Sequence, residues 1–271
     1  MLSVSRSGFY AWRQGKTHQV NGRKAEVAEQ VEQVFTEHLR RYGTRRIQAE
    51  LKARGLQVSR HQIRKRLREK GLKAIQPRSF VPKTTQNNPA LMRSPNLLLA
   101  RESPRTVNQI WVGDITYIPL TNGRWCYLAV WMDLFSRRIV GWHLGQTLEA
   151  VIVIRSFEKA LLLRQPTSAV IVHSDGGKQY QAQAFRALLR RHGFEQSMTR
   201  LDNHYDNAFV ESLFSRFKAE LLQGKAFTDY EQAHDQIFEY IEAYYNRKRR
   251  HSSLQYMAPE TFENNQVKEL E

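Results

Sequence analysis

The stretch Gln109-Ile-Trp-Val-Gly-Asp-Ile-Thr-Tyr-Ile118 decides how the second half of the chain folds. It is rich in Trp, Val, Ile and Tyr, side chains that fit a pleated, half-buried surface, and it predicts a strand. Two stretches of the same kind follow, Trp125–Asp133 and Arg137–Leu144, and Thr121-Asn-Gly-Arg124 joins the first two. Asn-Gly accepts the positive φ of a tight hairpin. Beyond them the pattern predicts a long helix over Leu148–Arg164, a short buried strand over Ala169–His173 and a helix over Ala182–His192. A strand over Glu195–Thr199 and helices over Asn207–Leu222 and Tyr230–Tyr245 complete it. Three meandering strands, then alternating helix and strand, then helices, make an α/β fold: a mixed sheet with helices on its faces.

Upstream of that core the character of the chain changes. Five of the eight prolines (Pro77, Pro82, Pro89, Pro95, Pro104) fall within Ala74–Arg105. Proline removes a backbone donor and restricts its predecessor, so 74–105 reads as an extended linker. Before it the period is helical. Lys24–Arg40 carries Val27, Val31, Val34 and Phe35 on one side, and Thr44 opens a short helix that Gly55 ends. Ser59 with Gln62 is a capping box for a helix with Ile63 and Leu67 inside and Gly71 as its stop. The outer face of that helix shows Arg60, Arg64, Lys65, Arg68 and Lys70. Two short helices around a Gly turn, the second densely basic, resemble a helix-turn-helix. The expected layout is a basic helical region over 1–73, the linker over 74–105 and the α/β core with its C-terminal helix and basic tail over 106–265.

Charge supports this division. The chain has 271 residues and a formal net charge of +16. Residues 1–105 hold 23 basic and 7 acidic side chains, whereas 106–271 hold 19 of each, so the whole excess sits in the first part. A basic module joined to a balanced one reads as a nucleic-acid grip attached to something else. A content of 41% hydrophobic residues argues against a disordered chain. No apolar run approaches a membrane span, and the start lacks the long apolar segment of a secretory signal. A lone cysteine, Cys126, excludes an internal disulfide and a Cys-rich zinc site. These features fit a cytoplasmic, nucleoid-associated protein.

Three carboxylates stand out by placement. Asp114 lies inside the first strand, where an unpaired buried acid is costly. Asp175, in His173-Ser-Asp-Gly-Gly-Lys-Gln-Tyr180, follows the fourth strand at its carboxyl end, where α/β sites form. Glu211 sits one turn into a helix, at the rim of the stripe Val210, Leu213, Phe214, Phe217 and Leu221. Sixty residues separate the first pair and 35 the second. Carboxylates without a His or Cys companion set are hard oxygen ligands suited to Mg²⁺ or Mn²⁺. Two such ions about 4 Å apart activate a water or a 3′ hydroxyl and stabilise the leaving oxygen in phosphoryl transfer. Spacing alone does not single out these three among the 19 acids of this half.

Longer motifs do. Trp111-Val-Gly-Asp-Ile-Thr-Tyr-Ile118, Trp131-Met-Asp-Leu-Phe-Ser-Arg-Arg-Ile-Val-Gly-Trp142 and the Asp175 segment resemble the second-frame (OrfB) transposases of two-frame bacterial insertion sequences. So do Tyr205-Asp-Asn-Ala-Phe-Val-Glu-Ser-Leu-Phe214 and Tyr245-Asn-Arg-Lys-Arg-Arg-His-Ser-Ser-Leu254. Upstream, Ser5-Arg-Ser-Gly-Phe-Tyr-Ala-Trp12 and Arg41-Tyr-Gly-Thr-Arg-Arg-Ile47 look like that family's amino-terminal helical region. The resemblance implies an RNase H-like, retroviral-integrase-like core. In it Asp114, Asp175 and Glu211 match the acidic triad that binds two Mg²⁺ ions, with Mn²⁺ as substitute. It implies cleavage at element ends and 3′-hydroxyl strand transfer without a covalent enzyme–DNA intermediate. It also implies terminal inverted repeats and target DNA as partners, a homo-oligomeric synaptic complex, and an upstream-frame (OrfA) helix-turn-helix and leucine-zipper protein. Where the family commonly has Gly before Asn-x-Tyr-Asp-Asn-Ala, this chain has Asp202. The two rivals are a DNA-binding regulator that keeps only the grip and a different RNase H-like nuclease such as a junction resolvase.

Neighbouring residues read two ways. Lys218, seven residues past Glu211, either resembles the integrase position that holds terminal DNA or faces solvent. Asp133 is family-like or a strand-end salt bridge, and Asp206 caps the Glu211 helix or joins the ligands. Arg247, Lys248, Arg249 and Arg250 interrupt a neutral half as a phosphate contact or as a solvated helix end. His173 orients the loop or is a hydrogen-bonded core histidine.

Overall fold

The structure, a computed structural model, describes residues 5–15, 22–76, 93–99, 101–199 and 208–270. Its contacts divide the chain into two units, Met1–Ile75 and Gln76–Glu271.

The first unit is helical: α1 (Arg6–Arg13), α2 (Gly22–Glu37), α3 (Thr44–Ala53) and α4 (Arg60–Glu69). Val31, Val34 and Phe35 of α2 meet Ile47 and Leu51 of α3 and Ile63 and Leu67 of α4 in one apolar core. The capping box forms as its residues predict, with Gln62 N donating to Ser59 Oγ and Ser59 N donating to Gln62 Oε1. Gly43, not Thr44, caps α3, so Thr44 becomes its first helical residue. Gly55 and Gly71, at φ 82° and 64°, stop α3 and α4 in the left-handed region as their positions imply.

The second unit is built on a five-stranded sheet. Its strands are β1 (Ile110–Pro119), β2 (Trp125–Asp133), β3 (Ile139–Gly145), β4 (Ile171–Ser174) and β5 (Glu195–Met198), in the order β3-β2-β1-β4-β5. The first three pair antiparallel, while β4 lies parallel to β1 and β5 parallel to β4. Helices α5 (Ala150–Arg164), α6 (Lys178–Gln181) and α7 (Gln183–Arg191) follow β3 and β4, and α8 (Ala208–Leu221) and α9 (Tyr230–Phe238) follow β5. The expected α/β class, with a mixed sheet, RNase H-like topology and a preceding all-helical region, is what the chain forms.

The main core lies under α5, where Trp111, Trp131, Phe157, Tyr180, Phe185 and Phe194 pack edge-to-face or stacked. Trp131 satisfies its indole N–H on Ser156 Oγ at 3.0 Å. Gly141 lets α5 approach this closely, because a Cβ there would fall 2.2 Å from the Ser156 carbonyl oxygen.

Tyr230–Tyr245 departs from the single α-helix that its periodicity predicts. After Phe238 it widens into a π-helical segment, Glu239–Tyr245, followed by a 3-10 turn at Ser252–Leu254 and by α10 (Pro259–Leu270). The wider turn buries Tyr240, Ile241, Tyr244 and Tyr245 together. It also aims Asn246 at β3, where its side chain accepts from Ile139 N and donates to Ile139 O.

One expected DNA contact is overturned here. Arg249 is 2% exposed and clamps Glu220 of α8 with two charge-assisted bonds, Nε to Oε2 at 2.8 Å and Nη2 to Oε1 at 2.6 Å. A buried carboxylate needs such a partner, and the arginine is used up inside. Arg250 is half-buried and donates to the Tyr256 carbonyl, while Arg247 pairs with Glu260 at 3.4 Å and Lys248 is exposed. Asp133 is likewise internal. It is fully buried and accepts from the amides of Asn108, Phe135 and Ser136, so it shapes the β2–β3 turn. Arg249→Ala should cost about 3–5 kcal/mol by leaving the buried Glu220 charge with no cation and only the Tyr240 hydroxyl, and Glu220→Gln with Arg249→Met together should cost much less. Denaturant unfolding of the single and the double variant measures the difference.

Candidate nucleic-acid and metal site

Strand pairing sets the geometry of the site. Ile110 stands opposite Ile171, Trp111 opposite Val172 and Val112 opposite His173. The pairing ends at Val112 and His173, and two residues further on stand Asp114, still inside β1, and Asp175, in the turn after β4. Asp114 is half-buried, and its Oδ1 accepts from Ile115 N at 2.8 Å. Asp175 is half-buried in the turn after β4, and its Oδ1 accepts from Gly177 N at 2.9 Å. Burial pushes the Asp175 carboxyl above the usual carboxylate range, against the opposing pull of the Gly177 amide and of the Arg93 guanidinium. Tyr180 is fully buried beside them. Burial, then the charges of Asp114 and Asp175, raise its hydroxyl well above the ordinary tyrosine range, so both acids act on one group.

Helix α8 brings two further residues. Lys218 is half-buried, and burial lowers its ammonium while the charge of Asp114 opposes that shift. Its ammonium is therefore acted on by the Asp114 carboxylate. Glu211 lies in the first turn of α8, two turns before Lys218, and its side chain is outside the described residues, as are Asp202 and Asp206. His173 is a core histidine, fully buried, with Nδ1 2.8 Å from Ser197 Oγ.

Reading the sequence missed the segment before β1. Within the stretch read as linker, 93–99 is laid along β5. Ser94 Oγ donates to Gln196 Oε1 at 2.9 Å, Leu97 N to Ser197 Oγ at 2.9 Å, and Met198 N to the Pro95 carbonyl at 3.2 Å. Gln196 in turn donates to the Tyr180 carbonyl at 2.7 Å, which ties this strap to the site. Arg93 at its start lies on the Gly176 peptide, where a Cβ would meet the guanidinium. Proline density hid it, since a segment that pairs through one strand edge carries no periodic signal.

The expected grip of the first unit is an exposed face. Arg60, Arg64, Lys65 and Arg68 all project from α4 into solvent, and Lys65 approaches Glu69 at 3.9 Å. Arg60, Arg64 and Arg68 enter no ion pair with another described residue. Elsewhere, His143, Arg155, Glu158, Lys159, Leu162 and His234 line an open cavity of about 340 Å³ that shares no residue with the carboxylate site. Burial and the neighbouring cations Lys159 and Arg155 hold His143 down to about 4, so it carries no charge at neutral pH.

Residues 104–204 and 192–259 match the family described as integrase core domain, and 23–80 match the HTH-like domain. The chain is 38% identical over 237 residues to the transposase for insertion sequence element IS904 of Lactococcus lactis subsp. lactis (strain IL1403), covering 88% of this chain and 93% of that protein. The chain belongs to the insertion-sequence transposases. This transposase is also 38% identical over 267 residues to transposase InsF for insertion sequence IS3A of Escherichia coli (strain K12), covering 97% of the chain and 92% of InsF. Among solved structures, a chain of the simian T-cell lymphotropic virus intasome in complex with PP2A regulatory subunit B56 gamma aligns with a TM-score of 0.50 and 17% identity. The alignment covers 80% of the transposase and 70% of that chain, and it supports the fold.

Ser197 is the hinge pin of the strap, since its hydroxyl serves both Leu97 and His173. Ser197→Ala should cost about 1–3 kcal/mol for the buried partners left unmade. Hydrogen exchange should quicken at Leu97 ahead of the β1 amides, as mass spectrometry reads.

Proposed function

We propose that this transposase cuts DNA at the ends of its element and joins the freed 3′ hydroxyl to target DNA, with Asp114, Asp175 and Glu211 as the ligands of two divalent ions. The observation that carries the reading is the placement of Asp114 and Asp175 two residues past the paired Val112 and His173, where the charges of both act on the buried Tyr180. The donor set fits the group: carboxylate oxygens only, one from within β1 and one from the turn after β4, with Glu211 of α8 as the third. Among the described residues no group of three or more His, Cys, Asp or Glu gathers to hold a metal, and the side chain of Glu211 lies outside them. Mg²⁺, or Mn²⁺ in its place, supplies Lewis-acid activation of the attacking oxygen and stabilises the leaving one.

Each step is a phosphoryl transfer. In the first, a water oxygen bonds to the phosphorus at the element end, the P–O3′ bond breaks, and the released 3′ oxygen takes a proton. In the second, that 3′ hydroxyl attacks a target phosphodiester, forms a new P–O3′ bond, and expels the target 3′ oxygen, which is protonated in turn. Asp114 and Asp175 present their oxygens from fixed backbone, which keeps the reacting phosphate in line. Lys218 neutralises charge beside Asp114 and receives terminal DNA. The α4 face of Arg60, Arg64, Lys65 and Arg68 binds duplex phosphates, with exposed Arg247 and Lys248 as a second patch. Two ends must be held together, so the working form is a homo-oligomer on DNA, acting in the cytoplasm at the nucleoid. An upstream-frame (OrfA) protein adds end-specific binding. No helix among the described residues is long and apolar enough to cross a membrane.

Strand transfer on labelled element ends, with and without the upstream-frame partner, tests the chemistry. Joined products should require Mg²⁺ or Mn²⁺, and Asp175→Asn and Glu211→Gln should each lose more than about 100-fold while duplex binding stays near wild type. Products that survive Asp175→Asn would refute the assignment. For the grip, Arg60, Arg64 and Arg68 changed together to Gln should lower the slope of log affinity against log salt by about 2.7, since each phosphate contact contributes about 0.9. An unchanged slope in a filter-binding titration would place the grip elsewhere.

A further inference from the structure

Arg93 is anchored where no structural need calls for an arginine. The strap that carries it is fixed to β5 through Ser94, Pro95 and Leu97. That anchorage lays the guanidinium on the Gly176 peptide, so that a Cβ at 176 would fall 1.5 Å from Nη2 and 2.2 Å from Cζ. Glycine at 176 is what admits it. The charge acts on Asp175, one residue away, yet Arg93 forms no ion pair with a described carboxylate. Its Nη1 is buried and donates to no described group. Buried donors are almost always satisfied, and a guanidinium carries five of them in a planar fork. A guanidinium set against a peptide, beside a carboxylate it does not bond and with Nη1 unsatisfied, is short of an acceptor. Phosphate oxygens match that fork and take its hydrogen bonds strongly.

We propose that Arg93 is a phosphate clamp of the catalytic site, donating to a DNA phosphodiester held at Asp175, and that Gly176 is glycine in order to seat it. This rests on the phosphoryl-transfer reading above. It assigns to the segment before β1 a part in substrate binding, so the strap completes the site of its own unit. An arginine that merely offset the charge of Asp175 would bond it directly and would be indifferent to DNA.

The test uses the full chain, a labelled duplex carrying the end of its own element, and the variants Arg93→Gln, Arg93→Lys, Gly176→Ala and the Arg93→Gln/Gly176→Ala double. In metal-free buffer, Arg93→Gln should lower the slope of log affinity against log salt by about 0.9, the value for one phosphate, and Arg93→Lys should keep it. A neutral methylphosphonate placed in turn at the phosphates around the cleavage point should weaken wild type about tenfold at one position and leave Arg93→Gln unaffected there. With Mg²⁺ present, Arg93→Gln should lose at least tenfold in product formation, and Gly176→Ala should lose a similar factor. The double variant should be no worse than either, because both changes remove one contact. An unchanged salt slope, or product formation within twofold of wild type in Arg93→Gln, overturns the clamp. Thermal melting of Arg93→Gln within a degree or two of wild type shows that its losses are not unfolding. A wild type that makes no metal-dependent product overturns the functional reading instead, and the salt slope and the methylphosphonate scan then still decide whether Arg93 touches DNA.

Discussion

Parallel pairing between β1 and β4 is the constraint on which the catalytic unit depends. β1 is bonded antiparallel to β2 on one side and parallel to β4 on the other, so its register is fixed from both directions. A slip of one residue against β4 would turn every β4 side chain to the opposite face and separate Asp175 from Asp114. The antiparallel side resists such a slip because β1 and β2 pair without interruption from Trp111 and Asp133 to Pro119 and Trp125. The aromatic layer under α5 resists it as well, since Trp111 and Trp131 are both fixed there by edge contacts to Phe157. Site geometry is thus a by-product of sheet register, held by residues far from any phosphate.

Charge in the second unit divides into two populations. One is internal and paired: Glu220 with Arg249, Asp133 with the amides of Asn108, Phe135 and Ser136, and Glu263 of α10 with Arg138 and Arg164. Burial raises Glu263, but the two arginines outweigh it and hold it below the usual carboxylate range. The other is of mixed sign and half-buried, beside the middle of β1 and the turn after β4: Asp114, Asp175, Arg93 and Lys218. Half-buried charge of both signs at a sheet is where the proposed phosphate substrate would be received.

Much of this was legible in the sequence, and what was not has physical causes. Strands at Trp125–Asp133 and Glu195–Met198 and the capping box at Ser59 follow from local rules that tertiary contacts do not override. Asp114 and Asp175 were singled out by their places, one inside a strand and one at a strand's end, together with the longer motifs around them. Arg249 was misread because run composition reports charge, whereas burial depends on which carboxylate folds back; Glu220 is 29 residues away in sequence. Arg93 left no trace at all, since its environment is made by backbone at Gly176 and by a strand edge that exists only once β5 is in the sheet. The split of Tyr230–Tyr245 was hidden for a related reason: apolar spacings of four and five fit an α-helix nearly as well as a wider turn.

That wider turn has a consequence for how the chain tolerates change in length. A π-helical stretch holds more residues per turn than an α-helix of the same span. Removing one residue from Glu239–Tyr245 would let the segment close to ordinary α geometry with its flanks still in register, so Asn246 would keep Ile139 and Arg249 would keep Glu220. The same deletion in α9, which holds no residue to spare, would swing everything after it by about 100° and part both pairs. Tolerance of a shorter chain is thus confined to the wide turn.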